Sequence, residues 1–462
     1  MKPSTSPRPL SAALQDRTES VTVWGAGYIG LSAACALAGA GFPCTVLDTD
    51  GNRVSQINAG VVPLPGFEDV IPLAEARSGG RLRAAFPEDA AAVAARVHLV
   101  CVNTDRDGRP VTGPLTEVLT AIAGARTGGE TLIALESTVS LRWLDELVPA
   151  ALGAAPASDP SLHLVAAPRR DWMLSPEMNL RTLPRVVGTA RPESLPLARE
   201  LYEAISEVVH PAPDWRHAGL TKPVENLYRY LDLVLTNQLA EAYPGLDVPE
   251  VLRLAGTKWN VPTFHPSIGI GGYCIPLSPR FAVDGAGEGP GEGPGEGPGP
   301  AEDGLLPLVA AAMAWDGDHP ARVAESILRI ADGPIGILGL SYAPNARIVE
   351  GSPARRLAEH LLARGADVLL HDPYFTPEEI TSLTGARPLS WPDDLGSLGT
   401  LVAVTPHDLY GDLPARLAAL ADPPAVVDNL GSYGATLRGT AVRYAEWGTP
   451  ATRPAAEPGP EP

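Results

Sequence analysis

Cys274 lies in HPSIGIGGYCIPLSPRF, residues 265–281. The small and turn-forming residues around it predict an exposed, tightly bent loop, where an accessible thiol would sit. A thiolate nucleophile needs a cation or donor beside it, and so does the oxyanion that its attack creates. Lys222 is the obvious supplier. In KPVENLYR, Lys222, Glu225, Asn226 and Arg229 recur at i, i+3, i+4 and i+7 and so share one helix face. Such spacing usually means a solvated salt-bridge stripe. Against that, lysine occurs only at Lys2, Lys222 and Lys258, beside 32 arginines, and an uncharged Asn stands in the row. Cys35, Cys44 and Cys101 lie in Ala-rich helix or strand context and read as buried structural thiols.

A second constellation is GAGYIG. Gly25, Gly27 and Gly30 follow a four-residue apolar run and open a helical stretch, and Asp48 closes the next strand 23 residues after the first glycine. Gly25 permits the tight turn, Gly27 lets backbone approach a pyrophosphate, and Gly30 allows close helix packing. The helix N-terminus, starting at Tyr28 and Ile29, supplies positive potential to phosphates. Asp48 can bind ribose hydroxyls, which favours NAD over NADP; Arg53, on the following helix, joins the cofactor candidates. Asp50 reads as a turn residue.

The first 150 residues alternate β-rich runs (VTVWGAGYIG, PCTVLDTD, VHLVCVN, TLIALEST) with Ala/Leu-rich helical stretches, which predicts a parallel sheet with helices on both faces. The alternation restarts at PIGILGL and continues through ADVLLHDP, TLVAVTP and AVVDNLG. Between them, KPVENLYRYLDLVLTNQLAEAYPG is one long helical pattern. The fold expected is α/β, with two doubly wound Rossmann-like domains joined by a long central helix. The expected division is a disordered tail over 1–20, an NAD-binding domain over 21–205, a central helical domain over 206–330, a C-terminal domain over 331–446 and a second tail over 447–462. The Gly/Pro/Glu repeat at 285–304 reads as a flexible surface insertion.

At about 150 residues per domain, 462 residues suit two or three domains. A formal charge of −19 repels nucleic acid, so a phosphate ligand must be held locally. No 18-residue uncharged apolar run and no signal core stand out, so neither a membrane partner nor secretion is expected. The four cysteines form no CxxC pair or His-rich cluster, so reduced thiols in a cytoplasmic protein are expected and no metal is.

Taken together, these residues resemble the UDP-glucose/GDP-mannose dehydrogenase family, whose members oxidise a nucleotide-sugar alcohol twice, to the uronic acid, with two NAD. The resemblance spans roughly residues 20 to 440. It is carried by GAGYIGL, INAG, VNTD, ESTV, KPVENLYR, GIGGYCIP, WDGDHP, GLSYAPN with the following SP, and DPY. It implies that Cys274 is the nucleophile, passing through a thiohemiacetal and a thioester. It implies that Lys222 and Asn226 stabilise the oxyanion, that Thr138 lies near the catalytic water, and that Thr104 and Thr138 contact the cofactor. The segment from Phe264 to Gly272, with Ser267 and Gly271, would embrace the nucleotide-sugar together with Arg229 and Tyr342. The long helix matches the family's dimer-forming element, so a homodimer is expected.

Four departures fall on chemistry. Arg169, in PRRDW, stands where members carry the glutamate of Pro-Glu. Ser278 replaces an aspartate four residues after the nucleophile, and Ala343 and Glu350 replace a substrate-contacting lysine and arginine. Losing an acid or base costs on the order of 10² to 10⁴ in rate. Two further readings therefore stand beside full oxidation: an enzyme that stops at the aldehyde or a slow thioester, and a silent member that binds NAD or nucleotide as a scaffold.

Overall fold

The computed structural model describes residues 8–106, 108–154, 158–172, 175, 177–286 and 305–450. These fall into two compact units, Met1–Asn226 with Leu277–Leu306, and Leu227–Pro276 with Pro307–Pro462.

The first unit is built on an eight-stranded sheet. Its strands are β1 (Val21–Trp24), β2 (Cys44–Leu47), β3 (Leu82–Ala85), β4 (Val97–Val100), β5 (Thr131–Leu135), β6 (Leu162–Ala166), β7 (Arg185–Thr189) and β8 (Val209–Pro211). Their spatial order is β8-β7-β6-β5-β4-β1-β2-β3. All neighbours pair in parallel except β6 and β7. Every residue of β1, β4, β5 and β6 is buried, as expected when helices cover both faces of a sheet. The chain leaves β1 for β2 on one side and later returns to β4 on the other. This reversal opens a crevice at the C-terminal ends of β1 and β4. Helices α1 (Tyr28–Gly39) and α2 (Gly51–Ala59) follow β1 and β2.

The second unit carries a six-stranded, wholly parallel sheet: β9 (Ile335–Leu338), β10 (Val368–His371), β11 (Arg387–Pro388), β12 (Thr400–Ala403), β13 (Ala425–Asp428) and β14 (Tyr444–Glu446). Its order is β11-β10-β9-β12-β13-β14, so the same reversal recurs between β9 and β12. The long helical pattern is realised as α3 (Trp215–Ala242). After a short helix at Val248–Ala255 come α4 (Cys274–Gly285), α5 (Pro307–Ile330) and α6 (Pro353–Leu362).

Both expected tails are corrected: residues 447 and 448 belong to the second unit, the Trp447 N–H donating to the Asp428 carbonyl at 2.8 Å and the Gly448 carbonyl accepting the Val248 N–H at 3.1 Å. Residues 1–20 read as a disordered tail, yet Leu10–Gln15 is helical and buries Leu10, Ala13 and Leu14. Apolar residues at i, i+3 and i+4 give even this short helix a face to bury. The backbone N–H of Leu10 also donates to Glu130 Oε2 at 2.8 Å. Residues 1–7, 451–462 and most of the 285–304 repeat lie outside the described residues. Among the described residues, no helix is long and apolar enough to cross a membrane.

Candidate active site

In the first unit the glycine turn is held from three sides. Gly25 has φ +97°, and a Cβ there would lie 2.6 Å from the Cys101 carbonyl oxygen. A Cβ on Gly30 would lie 1.9 Å from the Gly25 oxygen, whereas one on Gly27 would meet no atom within 4 Å. Gly25 and Gly30 therefore serve the chain's own packing, while Gly27 leaves open space at the head of α1. Asp48 ties the turn to the end of β2: Oδ2 accepts the N–H of Ala26 at 2.7 Å and Oδ1 that of Asp50 at 2.9 Å. Arg53 Nη1 is 3.7 Å from Asp48 Oδ2. Asp50 caps α2, as its turn reading implies.

Gly25, Gly27, Asp48 and Arg53 line one cleft of about 580 Å³ at the ends of β1, β2 and β4. Its other walls include Thr49, Glu88, Asn103 and, on the helix Gly113–Ala125, Glu117; spacing in the chain could not reveal them because they arrive on separate segments. A concave cleft at the strand reversal, an open Gly27 and an acid at the end of β2 fit a dinucleotide and its ribose. Tyr28 and Ile29 form the first turn of α1, where the Tyr28 ring packs on Phe67 at 5.3 Å. Thr104 and Thr138 come together: the Thr104 hydroxyl donates to the Thr138 carbonyl at 2.7 Å.

Arg169 is buried beneath that first turn. It meets Asp171 through Nε at 2.6 Å and Nη2 at 2.7 Å, and its Nη1 donates to the Ile29 carbonyl at 2.9 Å. Glu136, of ESTV, lies 3.7 Å from Arg169 and 2.6 Å from Arg185, and accepts the Tyr202 hydroxyl at 3.1 Å. The guanidinium is thus wholly engaged by the unit's own groups. Nothing in the chain spacing signals this network, since its directly bonded members lie up to 140 residues apart.

On α3, Asn226 is buried and its Nδ2 donates to Ser278 Oγ at 3.0 Å. Glu225 is claimed by Arg170, whose Nε is 2.7 Å from Oε1. Lys222 is half-buried, and among the described residues no hydrogen bond or ion pair engages its ammonium.

In the second unit, Cys274 is the first residue of α4 and is half-buried. The other three cysteines are buried free thiols. Burial pushes the Cys35 thiol up to about 12 and drives those of Cys44 and Cys101 further up, which suits inert core groups. Before Cys274 the chain bends at Gly272, φ +86°, where a Cβ would lie 2.9 Å from the Tyr342 ring. A Cβ on Gly271 would be 3.3 Å from the same ring, and one on Gly351 would be 2.3 Å from the Gly272 oxygen. Only glycines let the segment lie flat under Tyr342. Burial pushes the Tyr342 phenol up to about 12, with Cys274 reinforcing the shift and the exposed Arg229 opposing it, so these three side chains share one neighbourhood. Phe264 is half-buried, whereas Ser267 is buried.

The loop after β9 is organised by Asp372. Its Oδ2 accepts the N–H groups of Leu340 at 2.8 Å and Ser341 at 2.7 Å and faces His407 Nε2 at 3.0 Å. Of the two altered positions on this loop, Ala343 is buried and Glu350 is exposed.

Three profiles of the UDP-glucose/GDP-mannose dehydrogenase family match in order: the NAD binding domain over residues 19–206, the central domain over 216–289 and the UDP binding domain over 336–434. The chain is 26% identical over 382 residues to a UDP-N-acetyl-D-mannosamine dehydrogenase of Methanococcus aeolicus, covering 79% of this chain and 81% of that one. It is also 26% identical over 413 residues to the Escherichia coli protein of the same name, covering 85% and 94%. Among solved structures, the UDP-D-ManNAc dehydrogenase of Pyrococcus horikoshii superposes with a TM-score of 0.76 at 21% identity, over 94% of this chain and 100% of that one. A UDP-glucose dehydrogenase from Pyrobaculum islandicum gives 0.76 at 23% identity, over 93% and 98%. The glycine turn, its cleft and the three consecutive family matches lead to one conclusion: the chain belongs to the UDP-glucose/GDP-mannose dehydrogenase family and is an NAD-dependent nucleotide-sugar dehydrogenase.

Proposed function

We propose that this protein oxidises the primary alcohol of a UDP-N-acetylhexosamine, with UDP-N-acetyl-D-mannosamine as first choice, through the aldehyde to the uronic acid. The names of the relatives support that sugar. NAD, held by Gly27, Tyr28, Ile29, Asp48, Arg53 and Thr104 on a turn that Gly25 and Gly30 shape, supplies hydride acceptance when bound. Cys274 adds its sulfur to the aldehyde carbon, giving a thiohemiacetal. Oxidation of that adduct leaves a thioester, which water cleaves to the carboxylate and the free thiol. Lys222 and Asn226 stabilise the oxygen that gains charge in these steps, and Thr138 orients water. Arg229, Phe264, Ser267, Gly271, Gly272 and Tyr342 hold the nucleotide-sugar.

The observation that carries the reading is Lys222. A half-buried lysine whose ammonium no carboxylate among the described residues claims, in a chain with three lysines, suits a charge kept for a ligand. The test is NADH formed per molecule of UDP-N-acetyl-D-mannosamine. Two per sugar, absent in Cys274→Ser, is the expected result; none, with NAD still bound, would favour a scaffold.

A second reading, arrest at the thioester, has its own support. Arg169, at the position of the family's glutamate, is locked to Asp171 and Ile29, and Ser278 is bonded to Asn226, so neither supplies a carboxylate for water. It predicts a burst of NADH followed by a slow steady rate. We propose in addition a homodimer, for which Tyr228, Leu235, Tyr243, Leu254 and Trp259 form an exposed apolar stretch of the second unit.

A further inference from the structure

The segment from His265 to Tyr273 contains no helix or strand, yet it leads directly to Cys274. Three of its backbone groups and one of its side chains are taken by side chains from distant parts of the chain. The Ser267 N–H donates to Asn237 Oδ1 at 2.7 Å, and the Ile268 N–H to Asn429 Oδ1 at 2.8 Å. The Ser267 carbonyl faces His319 Nε2 at 3.0 Å, and His265 Nε2 faces Glu446 Oε1 at 2.7 Å. Ser267 is thus gripped on both of its backbone groups.

We infer that His319 is a positioning residue for this segment, acting through the carbonyl of Ser267; the inference rests on the proposed role of that segment in holding the nucleotide-sugar. His319 is fully buried, and its Nδ1 lies 2.7 Å from Glu241 Oε1. Both ring nitrogens face oxygens, so both bonds form together when both carry hydrogen. The ring stacks on Trp315 at 4.8 Å and meets the edge of Trp447 at 6.4 Å, which leaves it little room to turn. Glu241 is fixed in its turn by Arg322 Nε at 2.9 Å, and Arg322 Nη2 donates to the Trp315 carbonyl at 3.0 Å. The result is a continuous chain, Arg322 to Glu241 to His319 to Ser267, that ties an irregular segment to α3 and α5. A segment without ladder hydrogen bonds keeps one conformation only if side chains supply its partners. His319 gives Ser267 the partner that a strand neighbour would otherwise provide.

The experiment uses full-length His319→Ala and His319→Gln, with hydrogen–deuterium exchange of the ligand-free protein and steady-state kinetics on UDP-N-acetyl-D-mannosamine. In His319→Ala, amides of residues 267–273 exchange at least about tenfold faster, the equilibrium equivalent of one lost hydrogen bond, while those of β1, β4 and β5 are unchanged. KM for the sugar rises by about the same factor, with KM for NAD and kcat nearly constant. His319→Gln, which keeps one donor, restores most of both. Wild-type exchange over 267–273 in the alanine variant would overturn the inference, and so would a uniform acceleration throughout the protein. If the alanine variant does not fold, Glu241→Gln decides: it must accelerate the same peptide selectively. Failure of the wild type to turn over any nucleotide-sugar would sink the proposed substrate, and the exchange result would still decide the role of His319.

Discussion

Arg169 and Asp171 form a bidentate ion pair inside the first unit, with two nitrogen–oxygen distances of 2.6 and 2.7 Å. The same guanidinium donates to the Ile29 carbonyl in the first turn of α1. The position at which the resemblance leads one to expect a glutamate thus carries a residue that anchors the glycine turn. Arg169→Glu would therefore not restore a catalytic acid. It would set a third carboxylate beside Glu136 and Asp171, and breaking a buried pair costs about 3–5 kcal/mol. The expected outcome is a fall in Tm of roughly 10 °C with no gain in activity, read by circular dichroism and NADH formation.

The same pair sets an acid limit. Burial pushes the Asp171 carboxyl up, but the hydrogen bonds and charge of Arg169 outweigh it and hold the group below its ordinary value. A depressed carboxyl stabilises the fold above its unfolded pKa, about 3.9, and that stability is lost as pH falls through the folded value. Stability from this group should be constant above about pH 5 and decline below about pH 4. Arg169→Met should move the acid limb of a pH-unfolding curve upward; an unmoved limb would mean that the pair does not set it.

The three glycines of the turn should separate by function. Gly30→Ala drives a methyl group to within 1.9 Å of the Gly25 oxygen and should lower Tm. Gly27→Ala meets no protein atom within 4 Å, so Tm should change by no more than about 2 °C. Its cost should fall on the pyrophosphate, weakening NAD at least about tenfold in titration calorimetry.

Lys222→Met should lower kcat by about 10² to 10³, the range for losing one oxyanion donor. Tm should barely change, because no ion pair among the described residues is lost with it. A large loss of stability would instead mark Lys222 as a structural residue. Cys274→Ser should abolish acid formation, with kcat down by more than about 10³, while NAD affinity persists.

For the proposed dimer, Trp259 is the sharpest probe, because it is 93% exposed in the single chain. Trp259→Glu together with Leu254→Glu should shift the mass measured by light scattering from two chains to one. An unchanged dimer would place the interface elsewhere.

The sequence by itself determined the local chemistry. The glycine turn with Asp48, the single face of Lys222 and Asn226, the bend before Cys274 and the two alternating α/β patterns are all carried by residues within a few turns of each other. Periodicity and backbone freedom are local properties, so they can be read along the chain. What only the tertiary structure decided were pairings between distant positions. Examples are Arg169 with Glu136 and Ile29, the Thr104–Thr138 contact, and the grip of Asn237, His319 and Asn429 on residues 267 and 268. The short helix at Leu10 belongs with them, since its stability comes from the surface that it buries rather than from its own six residues. A buried polar group must find a partner wherever the fold brings one, and nothing in sequence spacing says which partner that is.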